Sequence, residues 1–265
     1  MVTFETKVYE NDWAFILKGN YLDRMIERCN YNFSKRILII NNVNNKGLVK
    51  KYAEKKVSNN VIDSYYFVDD YASGALKHFN IKRDSFKKGY YYSISELVGI
   101  YLCKSKYLLH FSSDSIIEPS KVNWIDKAIQ LMESNNNIIV ANPAWNKDMN
   151  QVKNESILET QNFFISFGFS DQCYLINSNI FKREIYNEKN MASERYPKYG
   201  GELFEKRVDS YMRNNDLYRI TSKEVSYIHE NFRSNTFNNI LLQLNVGSLQ
   251  RMRLSKIDKE FRRKS

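Results

Sequence analysis

Residues 107–119 read Tyr-Leu-Leu-His-Phe-Ser-Ser-Asp-Ser-Ile-Ile-Glu-Pro: an apolar run, small polar groups around one acid, Asp114, then apolar residues again. A buried carboxylate without a partner costs several kcal/mol. Asp114 therefore opens onto a cleft, pairs with a base, binds a metal ion, or caps the turn before the next helix. Two other expected strands also end in polar groups, at Asn41-Asn42 and at Asp69-Asp70. Ligands of parallel sheets collect outside the carboxyl ends of the strands. With Ser112, Ser113 and Asp114, three such ends predict one polar cleft, whose convergence a capping role alone leaves unexplained.

Other residues are candidates for chemistry. Glu202 follows Gly200-Gly201 at an expected helix start, where the dipole favours an acid and glycines let backbone approach a substrate. Glu205 is expected to be solvated. His229 lies at an expected strand end, as a ligand or as a structural group, while His110 reads as a packed core histidine. Asp171 serves an acceptor hydroxyl or a turn. Arg83, Lys87 and Lys88 precede a helix and either reach phosphates or form a solvated face. Of Tyr90, Tyr91 and Tyr92, at least one is expected in the core and the others are free to stack on a ligand.

The elements that must position these groups alternate. Strands are expected at 3–9, 36–40, 61–68, 106–111 and 137–142. Helices are expected at 20–31, 46–57, from Ser93 or Ser95 onward, and at about 120–133. Such alternation marks an α/β sheet with helices on its faces. After Pro143 the pattern changes: a polar, irregular, loop-like stretch at 144–160, aromatic strands over 161–177, a short helix near 179–185, a helix at 201–213, a strand at 217–228 and a helical segment at 236–262. No repeat or low-complexity linker interrupts the chain.

Bulk composition sets bounds. The chain has 265 residues, 43% hydrophobic, enough for one sizeable core. A formal charge of +10 favours anionic partners without choosing among them. Three cysteines, far apart and odd in number, argue against a disulfide framework and for a reducing compartment. No signal peptide and no apolar span of membrane length is apparent, so the expected location is cytoplasmic.

The 107–119 stretch with Trp124 resembles the metal-binding segment of GT-A type nucleotide-sugar-dependent glycosyltransferases, of family-2 character. In that family a strand ends in Asp-x-Asp, and the second acid holds Mn2+ or Mg2+ against the donor diphosphate. Asp114 matches the second acid, and Ser112 stands at the first, which implies altered or lost metal dependence. Hard cations take oxygen ligands, often one or two carboxylates beside phosphates. The resemblance implies a GT-A-like, Rossmann-related mixed sheet flanked by helices, with a C-terminal helical extension. It further implies donor contacts at Tyr9, Glu10, Asn41, Asp69, Asp70, Lys88, Ser112 and Ser113, and a second metal ligand at His229. Tyr199-Gly-Gly-Glu-Leu-Phe-Glu resembles the segment carrying the acceptor's base, which implies Glu202 as base; Leu203 replaces a frequent Asp.

The implied organisation is one domain over 1–235, its nucleotide half 1–143 and its acceptor half 144–235, then a basic amphipathic tail over 236–265. The implied partners are a UDP- or GDP-sugar and a glycan or lipid-linked acceptor, transferred with inversion. The tail either lies on an anionic membrane face or docks on its own domain. A nucleotidyltransferase is a rival, although no glycine-rich loop follows the first strand. A catalytically inactive relative is a second rival. A nucleic-acid-binding module is a third, although no finger spacing or RNA-binding aromatic signature is present, and no nucleic acid is expected.

Overall fold

The structure is a computed structural model and describes residues 1–229, 242 and 245–264. Its strands are β1 (Val2–Val8), β2 (Lys35–Ile40), β3 (Ser64–Phe67), β4 (Tyr107–Phe111), β5 (Ser115–Ile117), β6 (Ile138–Trp145), β7 (Leu158–Glu159), β8 (Phe163–Ser166), β9 (Cys173–Asn177) and β10 (Tyr218–His229). They form one sheet in the order β3-β2-β1-β4-β9-β6-β10-β8-β7, with β5 paired to β10. Strands β1 to β4 are mutually parallel. β9 runs antiparallel to both β4 and β6, and β10 runs parallel to β6. The exits of β1, β2, β3, β4, β6 and β10 and the entry of β9 therefore share one edge of the molecule.

The helices are α1 (Trp13–Lys18), α2 (Tyr21–Arg28), α3 (Lys46–Ser58), α4 (Val68–His78), α5 (Tyr90–Leu102), α6 (Trp124–Ser134), α7 (Met149–Glu155), α8 (Ser178–Phe181), α9 (Phe204–Asn214) and α10 (Val246–Arg263). β2 reads as an uninterrupted apolar run because both faces are covered. Leu38 and Ile40 join a core with Phe4, Met25, Val49 and Ile125. Ile37 and Ile39 join the opposite core with Val98, Tyr174 and Phe204.

Several expectations are corrected. Residues 144–160 are not a loop: β6 runs through Pro143 to Trp145, and α7 and β7 follow. Proline is tolerated there because the β6–β10 ladder shifts register between Thr221 and Ser226. α5 starts at Tyr90 rather than at a serine cap, and Ser93 instead accepts a hydrogen bond from the Phe204 amide at 3.0 Å. α6 starts at Trp124, with Asn123 accepting from the Asp126 amide at 3.1 Å. Of the two placements expected for the tail, docking on its own domain is seen for Ile257 and Phe261, which α10 buries in the same cluster as Phe4. Most of the helical segment expected over 236–245 lies outside the described residues.

Candidate active site

β4 is buried along its whole length and leaves the sheet through a turn closed by the Ser115 amide donating to the Ser112 carbonyl at 3.0 Å. The Ser112 hydroxyl donates to Asp114 Oδ1 at 3.0 Å. β5 then pairs antiparallel with the end of β10, setting Ser115 opposite His229. This register brings His229 Nε2 to 3.2 Å from Asp114 Oδ1, both side chains partly exposed. Burial pushes the Asp114 carboxyl up, but the His229 imidazole and the Ser112 hydroxyl outweigh it and hold the group below the usual carboxylate range. An ionised carboxylate and an imidazole at this separation fit a small divalent cation of the hard or borderline class.

Sequence reasoning missed Asp12. It is wholly buried behind the turn, accepting from the Tyr9 amide at 2.8 Å and from the Ser113 hydroxyl. Burial pushes its carboxyl up to about 8 against those bonds. Tyr9 is exposed, and partial burial of its hydroxyl, with Asp12 and Asp114 nearby, raises it to about 12.

The remaining expected donor residues spread along the same edge. Asn41 is buried and donates to the Tyr91 carbonyl at 2.7 Å, tying the exit of β2 to the first turn of α5. Tyr91 and Tyr92 are exposed, whereas Tyr90 is half-buried under the Arg83 guanidinium. Glu10 accepts from the Asn44 amide at 2.7 Å. Asp69 and Asp70 lie exposed in the first turn of α4, Asp69 paired with Lys46 at 2.6 Å. Lys88 is exposed on the approach to α5.

Before α9, Gly201 adopts φ +61, and a Cβ there would lie 2.5 Å from the Ser85 carbonyl oxygen. Only glycine fits this crossing. It swings Glu202 toward Lys206, whose ammonium lies 3.1 Å from the carboxylate. Leu203, where an acid was expected, packs against Gly89 and Gly200 instead of facing the cleft. Glu205 is not the solvated group its sequence suggested. Burial, reinforced by the Asp171 carboxylate, pushes it up to about 8. Burial likewise raises Asp171, against the pull of Lys7.

Beneath this pair lies a polar cluster that the sequence disclosed only as a core histidine. His110 Nδ1 is 2.6 Å from Glu5 Oε2, its Nε2 is 3.6 Å from Glu96 Oε2, and the Tyr174 hydroxyl donates to Glu96 at 2.6 Å. Lys7 pairs with Glu96 from above. Burial pushes Glu96 up, but His110 and Lys7 reverse this and hold it ionised. Glu5, Glu96 and His110 offer ligand atoms within 4.8 Å of one another, a geometry consistent with a divalent metal ion. All three are fully buried.

No protein-family model matches this sequence, and no curated protein matches it. A crystal structure of GalNAc-T7 with UDP, GalNAc and Mn2+ superimposes with a TM-score of 0.52 at 14% identity. The fold is GT-A-like. The match covers 86% of this chain and 43% of that one, so the chain spans less than half the length of GalNAc-T7. Within the GT-A-like frame the polar strand exits form a continuous edge from Asp69 on β3's side to Trp145 on β6. Among the described residues no helix is long and apolar enough to cross a membrane.

Proposed function

We propose that this protein is a glycosyltransferase that moves a sugar from a UDP- or GDP-sugar to a hydroxyl of a glycan or lipid-linked acceptor. The observation that carries this reading is the meeting of Asp114 and His229 at the exit of β4 in a GT-A-like fold. GalNAc-T7 was crystallised with UDP, GalNAc and Mn2+, which supports the same ligand class here. Asp114 and His229 would hold Mn2+ or Mg2+. Such an ion supplies charge neutralisation on the leaving diphosphate. The fully buried Glu5–Glu96–His110 cluster is assigned the supporting role, because Lys7 and Tyr174 already satisfy Glu96.

Tyr9, Ser112 and Ser113 border the donor, with Asn41 fixing the Tyr91–Tyr92 turn beside it. Two sources of a base stand on the acceptor side, Glu202 and the Asp171–Glu205 pair. The pair suits the task better, since a proton acceptor works best with a pKa near the working pH, and Glu205 is raised to about 8. Attack by the deprotonated hydroxyl on the anomeric carbon then inverts it. Turnover is expected to rise with pH toward about 8, where Glu205 loses its proton. Glu205→Gln should flatten that limb, and Glu202→Gln should leave it in place.

The test is a panel of UDP- and GDP-sugars, scored for thermal stabilisation and slow donor hydrolysis with and without Mn2+. Asp114→Ala and His229→Ala should each weaken metal-dependent donor binding about 10-fold or more. Unchanged metal-dependent binding in Asp114→Ala would remove this assignment. A second reading, a donor-binding relative without transferase activity, is favoured by the burial of Leu203 where an acid was expected. Binding without any hydrolysis or transfer would select it.

A further inference from the structure

Along the same edge, beyond β9, a second hollow of about 240 Å³ opens between the exit of β6, α7 and β10. Its size is below the roughly 300–1,000 Å³ of sites for drug-sized ligands. It has room for one small ring and not for a nucleotide. Trp145 forms one wall and is 42% exposed, whereas Trp13 and Trp124 are 8% and 1% exposed. The other walls include the carboxamides of Asn142, Gln151 and Gln172, with Thr221 and Tyr227. Carboxamides and hydroxyls both donate and accept, as a polyol does.

Charge narrows the ligand class. Asp148 is engaged as the cap of α7, accepting from the Gln151 amide at 2.9 Å. Arg219 and Glu155 face each other at 3.8 Å and offset one another. No surplus cation remains among these lining groups to bind a phosphate or carboxylate. Asn142 is already engaged, donating to the Pro143 carbonyl at 3.0 Å and accepting from the Thr221 hydroxyl at 3.1 Å, and Gln151 Nε2 donates to Glu155 at 3.0 Å. The wall chemistry matches a neutral sugar, whose C–H face packs on an indole while its hydroxyls meet the Gln151 oxygen and the Gln172 carboxamide.

Position gives the hollow its meaning. Trp145 is paired with Tyr227, and Tyr227 with Ile117 on its other side. His229 follows at the end of that same strand, opposite Ser115. The hollow is therefore one strand, about 4.8 Å, from the ladder that joins Asp114 to His229. Ser170 and Gln172, which line it, bracket Asp171 in sequence. Gln172 Oε1 accepts from the Tyr227 hydroxyl at 3.1 Å, and its side-chain Nε2 has no protein partner among the described residues.

The geometry points to this hollow as the seat of one neutral monosaccharide unit, stacked on Trp145 with a hydroxyl on the Gln172 carboxamide. That this unit belongs to the acceptor rests on the transferase reading above; that the hollow binds neutral sugar does not. The test uses the metal-free protein without nucleotide. Methyl glycosides of glucose, galactose and their N-acetylamino forms are titrated, with glucuronate and inorganic phosphate alongside. Acrylamide quenching of tryptophan emission reports on Trp145, because Trp13 and Trp124 are buried.

At least one neutral glycoside should shield the emission with a Kd on the order of millimolar. Trp145→Ala should weaken its saturation-transfer NMR signal about 10-fold, and Trp145→Phe should recover most of it. Gln172→Ala, which leaves the aromatic wall intact, should weaken it as well. Failure of every neutral sugar to shield the emission, or tighter binding of glucuronate or phosphate, would overturn the inference. UDP binding with Mn2+, measured separately on the unaltered chain, keeps the two readings apart. Sugar binding without UDP binding would uphold the hollow and remove the transferase, and the converse would do the reverse.

Discussion

Asp12 holds its place by two hydrogen bonds and gives up solvation to do so. In the metal-free protein its carboxyl stays protonated up to about pH 8, whereas in the unfolded chain it ionises near the ordinary value of about 4. Between those values the unfolded state loses a proton that the folded state keeps, so stability falls as pH rises and levels off above about 8. Asp12→Asn keeps an acceptor for the Tyr9 amide and removes the ionisation. It should reduce the loss of stability between acidic and alkaline buffer, read by urea denaturation at each pH. Lys7 is the opposite case. Burial would lower its ammonium, but Glu96 and Asp171 outweigh this and hold it up. Lys7→Met leaves Glu96 buried with one cation fewer and should cost about 3–5 kcal/mol. Equal stability of this variant would show that His110 and Tyr174 alone satisfy the cluster.

At the scale of elements, α10 is the part whose role the chain least advertises. Gln250, fully buried, accepts from the Asn20 amide at 2.9 Å and donates to the Phe15 carbonyl, stitching α10 to the α1–α2 turn. Gly19 makes room for it, since a Cβ there would meet Gln250 Oε1 at 2.1 Å. Arg28 and Asp258 add an ion pair at 2.8 Å. Gln250→Ala strands the buried Phe15 carbonyl and leaves the part-buried Asn20 amide without its acceptor, and should destabilise the protein by about 1–3 kcal/mol. Chemical denaturation checks this, and near-zero change would mean that water replaces the carboxamide. α5, with the segment before it, and the start of α9 are joined in the same manner, through Gly201 against Ser85 and the Phe204 amide on Ser93. α5 and α9 are thereby built on one another.

The whole molecule carries a formal charge of +10. Exposed charges attract a nucleoside diphosphate over about 10 Å at 0.1 M salt. Raising salt from low to high should weaken donor binding about 3-fold while leaving its metal dependence intact. A steeper loss would place several direct cation–phosphate contacts in the site. Vesicle binding by the basic face of α10 should be fully reversed by salt, because Ile257 and Phe261 are committed to the core. Binding that survives high salt would require an apolar anchor elsewhere.

The amino-acid sequence by itself determined the strands that carry the site and the polar groups at their exits. Apolar runs such as residues 37–40 and 107–111 are local, and the side chains that end them, Asn41 and Ser112 to Asp114, are adjacent in the chain. Tertiary structure alone decided which distant residues meet. His229 reaches Asp114 because β5 pairs antiparallel with β10. Asp171 and Glu205 share a charge environment, and Glu5, Glu96 and His110 close into a buried cluster, only once β1, β4 and β9 lie side by side beneath α5 and α9. Hydrophobic periodicity records which face of an element is buried. It carries no record of which neighbour covers that face, and the shifts of Asp12 and Glu205 arise from that neighbour and the water it excludes.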